Sequence, residues 1–208
     1  MACERRFGFL GSAIGLLALS AACGGEGAEG PVLRTDAQFD PPSAATAFRP
    51  INEANRAVAQ TFTVEQDGLL EEFWVVVTDG ESADAGTLRI TVQPVGGGGV
   101  IDDDLADSII DPLVINTSTL PAVLVEEFTE FNIGGQSGRD VLVGERYAIV
   151  VEFVSRATNT DTNAIARVLG QLPAPGDPFA GGTGATGQLD VGFTNNTEDY
   201  FFRTFVLN

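Results

Sequence analysis

In two long segments of the chain, apolar residues recur at every second position. The segments are residues 86–95 and 145–155, where the recurring side chains are aliphatic or aromatic. This period of two places them on one face of a β-strand, which predicts that the face is buried against a core. Glu152 falls on the other face of the second segment, and its charge indicates that this face is partly solvated.

Other segments fit strands less regularly. An earlier strand is predicted around Val58, Phe62 and Val64, with Gln60 on its inward side, and Phe73 to Val77 is apolar on both faces, which favours a central strand. Further candidates are bounded by turn-forming Gly, Pro, Asp or Asn: residues 111–116, 123–133, 164–169, 188–193 and 199–207. Besides the leader, the one helical hint is Asp104 to Ser108. The pattern predicts an all-β domain, an antiparallel jelly-roll-like β-sandwich of about nine strands.

Composition limits the partners. The 208 residues include 29 acidic side chains against 11 basic ones, all arginine, for a net charge of −18. Nucleic-acid binding requires clustered cations, so we exclude a nucleic-acid partner. A surface this acidic is typical of a self-repelling surface protein or of one that collects calcium.

Missing residue types limit the chemistry. The chain has no histidine, which excludes Ser-His-Asp and Cys-His catalysis and histidine-ligated metals. It has no lysine, which excludes Schiff-base and P-loop chemistry. Its two cysteines are Cys3 and Cys23. The first lies in a predicted leader, so the processed chain forms no internal disulfide.

The first 22 residues have the pattern of an export signal. Arg5 and Arg6 precede an apolar stretch over residues 7–22, which is too short for a comfortable transmembrane helix and matches a secretory signal peptide. Small side chains end the stretch just before Cys23. Ordinary cleavage after Ala22 is one outcome, and it leaves a free N-terminal cysteine.

The run Leu19-Ser20-Ala21-Ala22-Cys23 resembles a bacterial lipoprotein signal, although that signal usually has its leucine at the place held here by Ser20. The resemblance implies a lipidated Cys23, and Gly24 in place of aspartate implies the outer membrane or cell surface of a Gram-negative bacterium. Residues 23–45 then form the lipidated cysteine and an acidic, Gly- and Pro-containing stalk. The sandwich domain is predicted over residues 46–208.

A second resemblance covers the predicted domain. It is carried by Ala59-Gln60-Thr61-Phe62-Thr63, by Gly144 to Val150 and by Asp199 to Thr204. These segments are similar to those of jelly-roll modules found in bacterial surface proteins with varied, choice-of-anchor attachments. The resemblance implies an extracellular, non-catalytic module of a kind often suspected of binding glycans or calcium.

An acidic loop follows four consecutive glycines. Its carboxylates belong to Asp102, Asp103, Asp104 and Asp107, and such a loop can supply several of the six to eight oxygens that Ca²⁺ prefers. The spacing is not that of an EF-hand. The alternative is that the first three aspartates cap a helical turn over residues 103–108.

Aromatic and acidic residues leave three functions open. Trp74, the only tryptophan, is either a core residue or a glycan platform, and Arg203 needs a carboxylate partner if it is buried. Our main prediction is a lipid-anchored extracytoplasmic module, held to the membrane by its anchor, that binds a polysaccharide or surface protein, or calcium, without catalysis. One alternative is an envelope assembly component that pairs through strand edges. The other is a two-carboxylate glycoside hydrolase, whose candidate acids are Glu71, Glu72, Glu126, Glu127, Glu130 and Glu152.

Overall fold

The computed structural model describes residues 30–40, 45–122, 125–158, 163–172 and 179–208. The chain divides into two compact units, Met1–Gly30 and Pro31–Asn208. The predicted signal peptide and Cys23 lie outside the described residues. Within the described part of the chain, no helix is long and apolar enough to cross a membrane.

The second unit is built from fifteen described strands. They are β1 (Leu33–Phe39), β2 (Ala47–Ile51), β3 (Ala57–Thr63), β4 (Gly68–Val75), β5 (Val77–Asp79), β6 (Gly86–Pro94), β7 (Leu113–Asn116), β8 (Thr129–Asn132), β9 (Asp140–Val141), β10 (Arg146–Arg156), β11 (Ala166–Gln171), β12 (Gly184–Gln188), β13 (Gly192–Asn195), β14 (Asp199–Tyr200) and β15 (Phe202–Leu207). Three short 3₁₀ segments, Gly97–Gly99, Leu105–Asp107 and Thr117–Thr119, complete the described elements.

The strands form two main antiparallel sheets. The front sheet has the order β1-β15-β4-β8, with β9 also paired to β4, and the back sheet has the order β13-β12-β3-β10-β6-β7. A smaller sheet of β14, β11, β2 and β5 continues the front one, because β5 follows β4 after the single residue Val76 and β15 follows β14 after Phe201. The Val76 amide donates to the Phe201 carbonyl across this junction at 3.3 Å.

The main core lies between the sheets. It contains the inward residues of β3, β4, β6, β10 and β15, and its largest fully buried side chains include Phe62, Phe73 and Phe202. Gln60 also points inward. Its amide oxygen accepts a hydrogen bond from the Tyr200 backbone at 2.7 Å, so the predicted polar interruption of β3 links the back sheet to β14. The all-β class and the sandwich are therefore confirmed.

A second, smaller core covers the outer face of the back sheet. Small side chains dominate this face, among them Ala57, Ala59, Ala148 and Ala185. They leave a shallow trough that is filled by Ile101 and Leu189, with Leu105 and Phe193 packed at its margin. The acidic loop is thus held against a sheet, because the apolar residues interspersed with its aspartates pack into this trough.

Three predicted boundaries are wrong. Residues 33–39 pair with β15 as an edge strand, so the domain does not begin at residue 46 and the stalk does not extend to residue 45. The predicted strand over 188–193 instead spans the last residue of β12, a turn over residues 189–191 and the first two residues of β13. The helical hint over 104–108 is a single 3₁₀ turn, Leu105–Asp107.

Candidate functional site

The outer face of the front sheet carries an aromatic cluster, which we define as Trp74, Phe128 and Phe205. Alternation along β4 buries Phe73 in the core and turns Trp74 outward. Along β15 the same alternation buries Thr204 and turns Arg203 and Phe205 outward. Trp74 is therefore not a core residue between the two sheets.

Strand register brings these side chains together. Trp74 stands opposite Arg203 of β15 on one side and Glu130 of β8 on the other. The Trp74 ring centroid lies 4.7 Å from that of Phe205 and 6.0 Å from that of Phe128. All three rings are partly exposed to solvent. A sheet face that lacks a covering layer here thus presents aromatic carbon to the outside.

Polar groups frame the aromatic cluster. The Arg203 guanidinium carbon lies 5.2 Å from the Trp74 ring centroid and 4.7 Å from that of Phe128. Asp40 holds the same guanidinium with two hydrogen bonds, of 2.6 and 2.9 Å. The expected carboxylate partner applied to a buried Arg203; the side chain is only partly buried, and Asp40 is its partner. This pair is about one-third exposed and therefore remains accessible to a ligand hydroxyl.

Two glutamates complete the frame. The Trp74 indole N–H donates to Glu72, and Glu130 is exposed beside the ring. The surface thus combines flat aromatic carbon with carboxylate acceptors and guanidinium donors, which is the mixture that polar ligands with apolar faces require. Sequence analysis identified Trp74, Glu72 and Glu130 separately but gave no role to Phe128, Phe205 or Asp40.

The acidic loop lies on the other side of the molecule. It packs on the outer face of the back sheet, where the Asp103 carbonyl accepts from the Asp190 amide at 2.8 Å. The side chain of Asp104 accepts from the Ala106 amide at 2.9 Å, so the capping alternative is confirmed at this residue. The acidic loop and the aromatic cluster therefore lie on opposite outer faces and do not form one site.

Charge repulsion acts within the acidic loop. The negative charge of Asp102 raises the pKa of Asp107 above the usual aspartate value, with smaller contributions from burial and from Asp104. Among the described residues, no group of three or more acidic, cysteine or histidine side chains has an arrangement that could hold a metal ion. Two carboxylates thus face each other in a loop that is held by backbone hydrogen bonds and by bonds from backbone amides to the side chains of Asp102 and Asp104.

Several acids considered for hydrolysis are bound to neighbouring groups. Glu152 is 4% exposed and pairs with Arg89, whose Nε lies 2.9 Å from its carboxylate. Glu71 pairs with the buried Arg139 at 3.0 Å. Glu126 accepts from the Ala45 amide at 2.7 Å. Each of these carboxylates therefore contributes to the structure of a sheet face or loop.

A cleft of about 400 Å³ opens at one end of the sandwich. Pro94, Val95 and Ile109 give it apolar walls, and Tyr147 donates a hydrogen bond to Glu145 at 2.8 Å on another side. Burial raises the pKa of this tyrosine, so it is neutral at physiological pH. The cleft has the size of a small-molecule site, whereas a polymer needs an open surface such as that around Trp74.

No family model matches this chain, and no curated protein matches its sequence.

Proposed function

We propose that this protein is a lipid-anchored, extracytoplasmic module that binds a polysaccharide on the outer face of its front sheet, without catalysis. The observation that supports the proposal is the partly exposed aromatic cluster of Trp74, Phe128 and Phe205 beside Arg203 and two glutamates. A sugar ring has an apolar C–H face and a rim of hydroxyls. The first stacks on aromatic carbon, and the second bonds to carboxylate and guanidinium groups.

The predicted anchor would hold this surface at the membrane. A lipidated Cys23 carries several acyl chains, each contributing about 0.8 kcal/mol per buried CH₂, so attachment is effectively permanent. The protein then needs no strong affinity for its ligand to remain at the cell surface. The full chain has a net charge of −18, and an exported protein this acidic is repelled by anionic surfaces unless an apolar or stacking interaction attracts it.

Trp74→Ala is expected to weaken polysaccharide binding at least ~10-fold, because central aromatic anchors dominate the energetics of such surfaces. Since Trp74 is the only tryptophan, its fluorescence reports the ligand directly, and a bound sugar should shift or quench the emission of the unmodified chain. A panel of soluble and insoluble bacterial polysaccharides provides the ligands. Affinity is measured by retention and by fluorescence titration.

Phe48→Ala is the matched control for this experiment. Phe48 is 50% exposed but lies on β2, under Arg167 and outside the aromatic cluster. Its loss should leave binding unchanged. If the unmodified chain binds none of the polysaccharides and its tryptophan emission never changes, the proposal is wrong. Concentration-dependent assembly of that chain would then favour pairing through strand edges.

Calcium binding is a second candidate, favoured by the repulsion between Asp102 and Asp107. A cation between the two carboxylates would relieve it. We expect Ca²⁺ to raise the midpoint of thermal unfolding, because a ligand that binds only the folded chain stabilises it by mass action. Asp107→Asn should abolish the shift, and the equally charge-changing Asp111→Asn should not. An unchanged midpoint in millimolar Ca²⁺ would remove this candidate.

A further inference from the structure

One end of the sandwich exposes several aliphatic side chains, and we call it the entry end because β1 enters the domain there. The residues are Val32, Leu33, Val100, Leu142 and Val143, which are between 39% and 68% exposed. They belong to three different segments: the start of β1, the glycine-rich loop after β6, and the turn between β9 and β10.

Strand register places the segments of the front sheet at one level. Leu33 of β1 is paired with Leu207 of β15, which is paired with Leu69 of β4, which is paired with Asp140 of β9. Leu142 and Val143 follow β9 directly, and the Val143 amide donates to Asp67 at 2.6 Å. The start of β1 and the Leu142–Val143 turn therefore lie at the same end of the front sheet.

Backbone hydrogen bonds extend this end to the back sheet. The Val64 amide donates to the Glu145 carbonyl, and the Val95 amide donates to the Arg146 carbonyl, both at 2.9 Å. The loop that carries Val100 begins immediately after Val95. Two of its glycines face open space, since an added Cβ at Gly97 or Gly98 would meet no atom within 4 Å. Val100 is thus presented outward from the same end.

The number of residues between Cys23 and β1 indicates that the lipid bilayer covers this end. Ten residue steps separate Cys23 from Leu33, which span at most ~36 Å when fully extended and ~18 Å as a coil. The eleven-residue strand β10 alone is ~37 Å long. A domain lipidated at Cys23 is therefore held with its entry end toward the bilayer, because a tether this short hinders the opposite end from turning inward.

We propose that the entry end rests on the lipid bilayer, with Val100, Leu142 and Val143 in the boundary between headgroups and acyl chains. This inference rests on the proposed anchor at Cys23. Apolar tips on separate loops bury their side chains in that boundary as interfacial segments do. The exposed acids at the same end, among them Glu65, Asp67 and Asp140, disfavour an anionic surface. The contact is therefore apolar, and it is strongest on zwitterionic lipid.

The geometry gives the proposed binding face its orientation. With the entry end on the bilayer, the strands of both sheets run away from the membrane. The front sheet, and with it Trp74, then faces sideways into the space above the lipid. A polymer that lies along the cell surface could reach it without displacing the anchor.

The test uses the mature protein purified from membranes and reconstituted in phosphatidylcholine vesicles. Val143→Cys and Val100→Cys introduce labelling sites at the entry end. Val154→Cys is the matched control, since Val154 is 45% exposed on β10, eight residues beyond Arg146 and toward the opposite end of the sandwich. Each thiol receives an environment-sensitive fluorophore, and some vesicles contain lipid with a quencher at a shallow acyl position.

We expect blue-shifted emission and severalfold quenching by the lipid-borne quencher at positions 143 and 100, and neither effect at position 154. Equal quenching at all three positions, or none at any, overturns the inference. Blue-shifted emission at positions 143 and 100 without quenching also overturns it, because a second copy or another protein then covers the entry end.

The parent protein, which carries no introduced cysteine, shows whether a negative result comes from a wrong inference about the entry end or from the absence of the anchor. A lipidated Cys23 has its sulfur in a thioether and takes up no maleimide, so the introduced cysteine is the only labelled site. If the parent protein reacts stoichiometrically and its mass lacks acyl chains, the anchor is absent and both proposals fall. If the parent protein stays unlabelled and position 143 is unquenched, the anchor stands and the inference about the entry end is wrong.

Discussion

Replacing Phe202 by alanine is expected to lower the free energy of unfolding by about 3–5 kcal/mol, the range for a fully buried phenylalanine. Phe202 is 0% exposed and lies at the start of β15. Its ring centroid is 5.7 Å from that of Phe62 and 5.2 Å from that of Phe179. The ring therefore joins β15 of the front sheet to β3 of the back sheet, and its loss leaves a cavity between them.

Urea denaturation of a chain that begins at residue 23 and carries Cys23→Ser provides the measurement. A loss of this size lowers the thermal midpoint by ~10 °C in a domain of this length. Phe48→Ala is the control, because its half-exposed ring should cost less than about 1 kcal/mol. Equal losses for Phe202→Ala and Phe48→Ala would mean that the two sheets do not share the core described above.

The sequence predicts best the strands that cross the middle of the sandwich. The segments 86–95 and 145–155 agree with β6 and β10 to within one residue at each end. Both strands have a neighbour on each side, so their inward residues must all be apolar, and a period of two follows. The helix predicted from Asp104 onward is a single turn in the structure, because the capping hydrogen bond of Asp104 is the only local interaction that favours it.

The sequence fails where a strand lies at an edge or contains glycine. In β1 the register shifts between Thr35 and Gln38, and the buried Asp36 accepts hydrogen bonds from the Glu65 and Gln66 amides. The bulge breaks the alternation of apolar and polar residues in β1. The sequence also gives no sign that the Asp36 carboxylate is buried rather than exposed to solvent. In β12 a Cβ at Gly184 would lie 2.0 Å from the Glu198 carbonyl oxygen. Glycine is required there by close approach, but in the sequence it resembles a turn.

The aromatic cluster was predictable only in part. Trp74 is distinctive in the sequence as the single tryptophan, but its apolar neighbours favour a position in the core. Its contacts come from distant segments of the chain, around Phe128, Arg203 and Phe205, with Asp40 behind Arg203. No local pattern links these segments, since they are brought together by the pairing of β4 with β15 and by a loop that lies beside the front sheet.

Gln60→Leu is expected to cost about 2–4 kcal/mol, because it leaves buried polar groups without their partner. Gln60 is 3% exposed, accepts from the Tyr200 amide at 2.7 Å, and donates to the Thr61 carbonyl at 3.0 Å and more distantly to Asp199. Leucine has nearly the same volume, so the cost reports lost hydrogen bonds rather than a cavity. The polar residue inside the core of β3 thus stabilises the fold by fixing β14 against the back sheet.

Gln93→Leu provides the contrast within the same sheet. Gln93 is 0% exposed, its amide oxygen has no hydrogen-bond partner among the described residues, and its nitrogen has only a long contact of 3.4 Å to Thr91. Removing an unsatisfied polar atom should be neutral or stabilising, within about 1 kcal/mol of the unmodified chain. Urea denaturation of the two variants under identical conditions measures the difference. If Gln93→Leu is as damaging as Gln60→Leu, side-chain shape rather than hydrogen bonding decides stability at both positions, and Gln60 does not link the sheets through its amide.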